Sequence, residues 1–383
     1  MRWALRIVLL LLAVPAAYAV EPRARDLGIP FDGTPGPWNA ITDVAGVTVG
    51  HTTLIQDLPE GRAVRTGVTA VLPRGRDSLM RPVFAGWFAL NGNGEMTGTT
   101  WVEESGQLEG PVMLTNTHSV GVVRDATIAW RIRKAGPDAT GYYWSLPVVA
   151  ETWDGHLNDI NGFHVAAADV DAALDGAVSG PVAEGNVGGG TGMVCYELKC
   201  GIGTASRAVE ILGASFTLGV LVQANYGLRD ELIIAGVPVG RELREHRVYS
   251  EPDPAAAGGG SIIVVLATDA PLLPHQLKRV ARRAALGLAR NGAIAHNGSG
   301  DIFIAFSTAD ESLGQTDRIL LHQSIPNDEI DPLFAATVQA TEEAVVNALV
   351  AARDMTGDQG RYAKALPRGK LQELLAASGR MAP

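Results

Sequence analysis

The sequence predicts an α/β fold in one domain, on three observations. Short β-branched runs of strand length are interleaved with segments of helical periodicity along the 383 residues. With 46% hydrophobic and 19% charged residues, the chain can bury a large core. Neither a fixed internal period nor a long polar linker divides it, although its length would permit two or three domains.

In chain order, strands are expected at 47–54, 68–72, 83–90 and 112–115, where Val, Leu, Thr and Phe cluster between Gly, Pro, Asn or Asp. Helical spacing follows at 164–175. A strand is expected at 218–223 and another at 262–267. The next helix, 274–289, puts Leu277, Val280, Ala281, Ala284 and Leu288 on one face. A last strand at 302–306 precedes helices at 332–353 and 370–377. The 45 Gly and 21 Pro are spread without a repeat, so they mark tight turns and close backbone approaches, not low complexity.

Charge and leader narrow the function. Lys+Arg number 31 against 41 Asp+Glu, a net charge of −10 with no basic block, so a nucleic-acid partner is excluded. Arg2 and Arg6, the apolar run 7–14 and the small-x-small close Ala17-Tyr18-Ala19 read as a secretory signal at 1–19. The apolar stretch falls short of the ~20 residues that span a bilayer. The mature chain is therefore expected off the membrane, secreted or, in a Gram-negative cell, periplasmic. Cys195 and Cys200 are the only cysteines; in an oxidising compartment they form a short disulfide or stay as two buried thiols. No HExxH and no Cys/His cluster with zinc spacing occurs, and the Gly-rich run 185–192 has neither a dinucleotide nor a P-loop register. No metal or organic cofactor is implied. The glycines fit close backbone packing near a site.

One segment breaks the pattern. From 250 the chain reads Ser-Glu-Pro-Asp-Pro-Ala-Ala-Ala-Gly-Gly-Gly, turn-forming and exposed in character, then enters the apolar strand that begins at Ser261. On its own this is a loop before a strand; it is also what an internal self-cleavage site requires. A serine hydroxyl is a weak nucleophile without a base, and neither Ser261 nor Ser299 lies in a G-x-S-x-G elbow, which leaves a triad dispersed in sequence open. If the Gly260–Ser261 bond is cut, Ser261 gains an α-amine of pKa about 7.7–8.0, near enough to neutrality to serve its own hydroxyl as base. Attack of that hydroxyl on the Gly260 carbonyl would begin the cut, and glycine admits backbone conformations a side chain forbids.

Five stretches resemble the L-aminopeptidase/D-Ala-esterase/amidase family, which includes the β-peptidyl aminopeptidases. They are Gly258-Gly259-Gly260-Ser261, the segment from Asn297-Gly298-Ser299-Gly300-Asp301 to Thr308, the segment from Leu146 to Glu151-Thr152, Gly188-Gly189-Gly190-Thr191-Gly192-Met193 and Gln223-Ala224-Asn225-Tyr226-Gly227. They cover most of the mature chain in the family's order. The resemblance implies an αββα sandwich similar in layers to N-terminal nucleophile hydrolases, with different connectivity. It implies self-cleavage into an α chain 20–260 and a β chain 261–383 that stay together, and a homo-oligomer of αβ units, usually four. The expected activity is hydrolysis of the amide or ester bond after a free N-terminal residue (L-amino, D-Ala or β-amino) in small peptides, amides and esters, through an acyl-enzyme.

Roles carry over one residue at a time. Ser261 matches the nucleophile; Ser299 and Asp301 match a pair that contacts it and its α-amine, where a carboxylate sets the amine's pKa and orientation. Asn225 matches the amide that donates to the developing oxyanion. Glu151 matches the carboxylate that receives the substrate's ammonium. Trp153 departs from members with Tyr there: indole offers only an N–H, which leaves it a pocket-shaping role. The segments 91–95 and 115–121 also look family-like and are placed near the site without roles. The alternative of a secreted binding protein, or a member that never cleaves, is opposed by the intact Ser261, Ser299, Asp301 and Asn225.

Overall fold

A computed structural model describes residues 22–76, 81–136, 141–248, 260–315 and 317–382. The leader at 1–19 and the linker at 250–259 lie outside the described residues. In chain order the elements are β1 (Thr48–Asp57), β2 (Ala63–Leu72), β3 (Val83–Gly92), α1 (Thr99–Ser105), β4 (Gln107–Leu108), β5 (Val112–Asn116), α2 (Val120–Ala135), β6 (Val148–Thr152) and α3 (Ala167–Asp175). A small hairpin, β7 (Val194–Cys195) and β8 (Leu198–Lys199), leads into β9 (Ile202–Ile211), β10 (Ala214–Tyr226) and β11 (Gly260–Thr268). There follow α4 (Pro274–Arg290), β12 (Gly300–Ser307), α5 (Asp331–Ala351), the hairpin β13 (Met355–Thr356) and β14 (Tyr362–Ala363), and α6 (Arg368–Ala377).

Two sheets organise these elements. One has the order β1-β2-β5-β6 and the other β4-β3-β12-β11-β10-β9. Side-chain alternation along β11 then fixes the layers. Ile262, Val264 and Leu266 pack with Leu277 and Val280 of α4 and Ala344 of α5. Ile263, Val265 and Ala267 face the other way, onto Val71, Leu114 and Val148 of the smaller sheet. The outer face of that sheet, through Val68, Met113 and Val149, buries Trp130 of α2 and Leu174 of α3. The result is the αββα sandwich, with β11 buried on both faces. Such a strand reads as a continuous apolar run, and each fully buried Ile or Val stabilises the core by roughly 1.5–3 kcal/mol.

All seven expected strands and all four expected helices are present. The first expected helix starts at Ala167, later than its apolar spacing suggests, because the Asp169 carboxylate accepts the Ala166 N–H at 2.8 Å and fixes the first turn there. Strand β9 escaped the apolar pattern because its buried positions include Thr204, Ser206 and Arg207. Arg207 is satisfied by Glu343 of α5 at 2.7 Å, so the polar residues mark a buried ion pair and not a surface. The two cysteines are a disulfide closing the β7–β8 hairpin, with Cα atoms 5.4 Å apart.

Candidate active site

Strand direction brings the site together. β10 runs antiparallel to β11, so Asn225 near the end of β10 lies opposite Ser261 at the start of β11. β12 runs parallel to β11, so its start lies beside the same point, with Asp301 paired to Ile262. Ser261 and Asn225 share the inter-sheet face by the alternation that puts Ile263 and Leu221 there. Ser261 Oγ accepts the Gly300 N–H at 3.0 Å. Gly260 sits at φ 70°, where a Cβ would lie 1.9 Å from the Asn225 carbonyl oxygen, so glycine is required by both torsion and space.

Ser299 and Asp301 meet each other first: the Ser299 hydroxyl donates to Asp301 Oδ1 at 2.6 Å. The group that reaches the Ser261 oxygen is the backbone N–H of the intervening Gly300. That donor was invisible to residue-type reasoning, since any residue carries it. Burial raises the Asp301 carboxyl to about 6, against the lowering effects of Ser299, the Ile262 backbone and His296. Its folded value lies above its unfolded one, so its contribution to stability is full below about pH 4 and lost as pH rises through about 6. In an uncut Ser261→Ala chain, moving from pH 7 to 5 should therefore return about 1 kcal/mol from this group. Buried Asp154, raised to about 7, adds its own gain over the same range, so urea titrations at both pH values should show the pH-5 gain smaller by about that amount in Ser261→Ala/Asp301→Asn than in Ser261→Ala; an equal gain in the two would remove Asp301 as a source.

The Asn225 amide has a defined orientation. Its Oδ1 accepts the Val194 N–H at 2.8 Å, which leaves the NH2 as the donor for a ligand. Asn225 is buried, so this donor acts in a water-poor setting.

Glu151 lies one residue before the end of β6 in the smaller sheet and is buried. Its Oε1 accepts the Glu95 N–H at 3.0 Å and its Oε2 accepts the Thr117 hydroxyl. Burial raises its pKa above the ordinary carboxylate range, while the Thr117 and Glu95 hydrogen bonds lower it. Gly94 joins the two halves of the site: a Cβ there would lie 3.3 Å from Glu151 Oε1 and 3.2 Å from Gly300 Cα. Glu151 is thus one glycine's breadth from the residue that bonds Ser261 Oγ. The same turn is pinned by Asn91 donating to the His296 carbonyl at 2.5 Å and Asn93 donating to the Gly298 carbonyl at 2.7 Å. The 91–95 and 115–121 segments, left without roles from sequence, position Glu151 and the Gly298–Ser299–Gly300 turn. Trp153 is 42% exposed and lies against Gly155, a rim position without a hydrogen bond to the residues above.

Sequence reasoning also missed Asp154, fully buried and raised by that burial to about 7, with bonds from Thr66 and Asn158. Its neighbour Glu151 carried the family match; Asp154 carried no motif of its own. The Gly-rich run packs as expected: a Cβ on Gly189 would meet Gln223 Oε1 at 2.1 Å, and one on Gly190 would meet the Ile202 nitrogen at 2.4 Å. Among the described residues, no group of three or more His, Cys, Asp or Glu is placed to hold a metal ion.

Comparison with known proteins places this arrangement. Peptidase family S58 matches residues 39–363. The beta-peptidyl aminopeptidase BapA of Sphingosinicella microcystinivorans is 53% identical over 386 residues, covering 97% of this chain and 96% of that protein. BapA of Sphingosinicella xenopeptidilytica is 48% identical over 373 residues, 93% of this chain and 91% of that one. Among solved structures, the L-aminopeptidase D-Ala-esterase/amidase of Ochrobactrum anthropi, described as a prototype for the serine aminopeptidases and a new variant among the Ntn hydrolase fold, has a TM-score of 0.88. Its identity is 51%, over 94% of this chain and 100% of that chain. A Burkholderia sp. beta-aminopeptidase has a TM-score of 0.85 and 49% identity, over 94% of this chain and 99% of that chain.

Proposed function

The chain belongs to peptidase family S58 and is a serine aminopeptidase, and we propose that its nucleophile is Ser261, freed as a chain start by scission of the Gly260–Ser261 bond. The observation that carries this reading is the convergence of Gly260, Ser261 and Asn225 at two adjoining register positions of β10 and β11. Self-cleavage runs by attack of Ser261 Oγ on the Gly260 carbonyl carbon. The peptide C–N bond breaks as the nitrogen takes a proton, leaving Gly260 esterified to Oγ. Water then hydrolyses the ester to a Gly260 carboxylate and a free Ser261 with its α-amine. The products are chains 20–260 and 261–383.

In turnover the α-amine takes the Oγ proton as Oγ attacks the substrate carbonyl. The oxyanion accepts from the Asn225 amide. The leaving amine or alcohol receives the proton, and water attacks the acyl ester to release the N-terminal residue and restore Ser261. Ser299 and Asp301 hold the start of β12 against Ser261 and supply a carboxylate to the new ammonium. Glu151, in its ionised form, receives the substrate's ammonium in a buried setting, which restricts the enzyme to chain ends. Substrates are small peptides, amides and esters whose first residue is a β-amino acid, an L-amino acid or D-Ala.

Glu151→Gln tests this assignment. The variant keeps the shape and removes the charge, so KM for free-amine aminoacyl-p-nitroanilides should rise about tenfold or more with a smaller change in kcat. Hydrolysis of N-acetylated substrates at the wild-type rate would sink the role.

The leader pattern at 1–19 and the Cys195–Cys200 disulfide support export to an oxidising compartment, periplasmic or extracellular. Exposed Ile319 and Leu321, 92% and 91% accessible, supply apolar surface for assembly of αβ units, four on the family pattern. N-terminal sequencing of the exported protein and its native mass check the two readings.

A further inference from the structure

We infer that Lys199 is a positioning residue for the oxyanion donor, gripping one end of the Met193–Val194 peptide group whose other end fixes Asn225. The inference rests on Asn225 having the role proposed above. Lys199 is fully buried in β8 and sits across the hairpin from Val194. Its Nζ donates to the Met193 carbonyl at 2.8 Å and to the Cys200 carbonyl at 2.5 Å. The Met193 carbonyl oxygen and the Val194 N–H belong to the same planar amide. That N–H donates to Asn225 Oδ1 at 2.8 Å. A chain of three groups therefore runs from Lys199 through one rigid peptide to the amide opposite Ser261. Donation to the carbonyl end polarises the unit and strengthens its N–H as a donor.

The surroundings argue that this lysine does more than fill space. The Cys200 N–H also donates to the Met193 carbonyl, at 3.1 Å, and the Cys195–Cys200 disulfide closes the turn around it. The Lys199 N–H donates to the Lys364 carbonyl at 2.7 Å, which ties the hairpin to the β13–β14 region. Both of these partners of Nζ are backbone carbonyl oxygens, and burial lowers the amine to about 7. Taking an amine out of water opposes folding, and a Met or Leu would occupy the same volume without that cost. Local rules are broken in this way where a site demands a fixed geometry.

A double-mutant cycle on the processed enzyme tests the inference, with an aminoacyl-p-nitroanilide as substrate. Lys199→Met should lower kcat about tenfold to hundredfold and leave KM within about twofold, because ground-state binding at Glu151 is untouched. In an Asn225→Ala background the same substitution should lower kcat by less than about threefold, since the group it positions is gone. Equal losses in both backgrounds, or a rise in KM matching the fall in kcat, would overturn it and leave Lys199 a packing residue. If Lys199→Met fails to accumulate as folded protein, Lys199→Gln enters the same cycle under the same criterion; its amide keeps an N–H for the Met193 carbonyl and should retain part of the lost kcat. A normal kcat for Asn225→Ala alone would refute the oxyanion role itself, and that failure is distinct from additivity in the cycle.

Discussion

Ser261→Ala is expected to give one uncut chain with no measurable aminopeptidase activity, a loss of about a million-fold in kcat. The size follows from what one position supplies. In the proposed mechanism the hydroxyl is the attacking group in self-cleavage, so without it the Gly260–Ser261 bond should persist. While the bond persists there is no α-amine at 261, so the general base is missing together with the nucleophile. Folding should survive, because among the described residues the Ser261 side chain makes one hydrogen bond, from the Gly300 N–H, while its backbone pairing with β10 and the apolar packing of β11 on both faces are kept. A denaturing gel and an assay on the same sample check both halves. Two bands from the variant, split at 260/261, would refute the mechanism outright.

The second large effect belongs to a residue with no side chain. Gly260→Ala should slow self-cleavage at least about hundredfold and hold activity down in proportion to the uncut fraction. At φ 70° a Cβ would lie 1.9 Å from the Asn225 carbonyl oxygen and 2.8 Å from its carbon, so the pairing of Tyr226 and Asn225 with Gly260 and Ser261 must shift. That pairing aligns the bond to be cut with the Asn225 amide, and an ångström of displacement is costly in such a geometry. Once cut, the enzyme should turn over with a near-normal kcat, because residue 260 is then the far end of the other chain. Following the uncut band over time against wild type checks the prediction; cleavage at the wild-type rate would show that the glycine serves only the fold.

Much of this was legible in the residues. The central strands were visible because burial on both faces makes runs such as Ile262-Ile263-Val264-Val265-Leu266 continuously apolar. Glu151, Asn225, Ser261, Ser299 and Asp301 were visible through motifs similar to a known family, and the structure places them at the adjoining ends of β6, β10, β11 and β12. Two kinds of feature were hidden. Helix α2 carries Arg124, Asp125, Arg133 and Lys134 among its apolar residues, and its stripe of Val123, Ala126 and Trp130 is too narrow to stand out. Donors that are backbone, the Gly300 and Val194 N–H groups, leave no trace in residue type. Lys199 was passed over because a lysine in sequence ordinarily means surface.

The place of β11 inside the six-stranded sheet has a consequence for the life of the mature enzyme. Its neighbours β10 and β12 would belong to different polypeptides after the cut, and the whole smaller sheet would come from the first of them. A sheet that formed within one molecule would then be able to re-form only by encounter between two, with the loop-closure advantage of a continuous chain gone. The proposed cut would thus make unfolding a one-way loss at dilution, and the durability of the active form would become a matter of how slowly it opens.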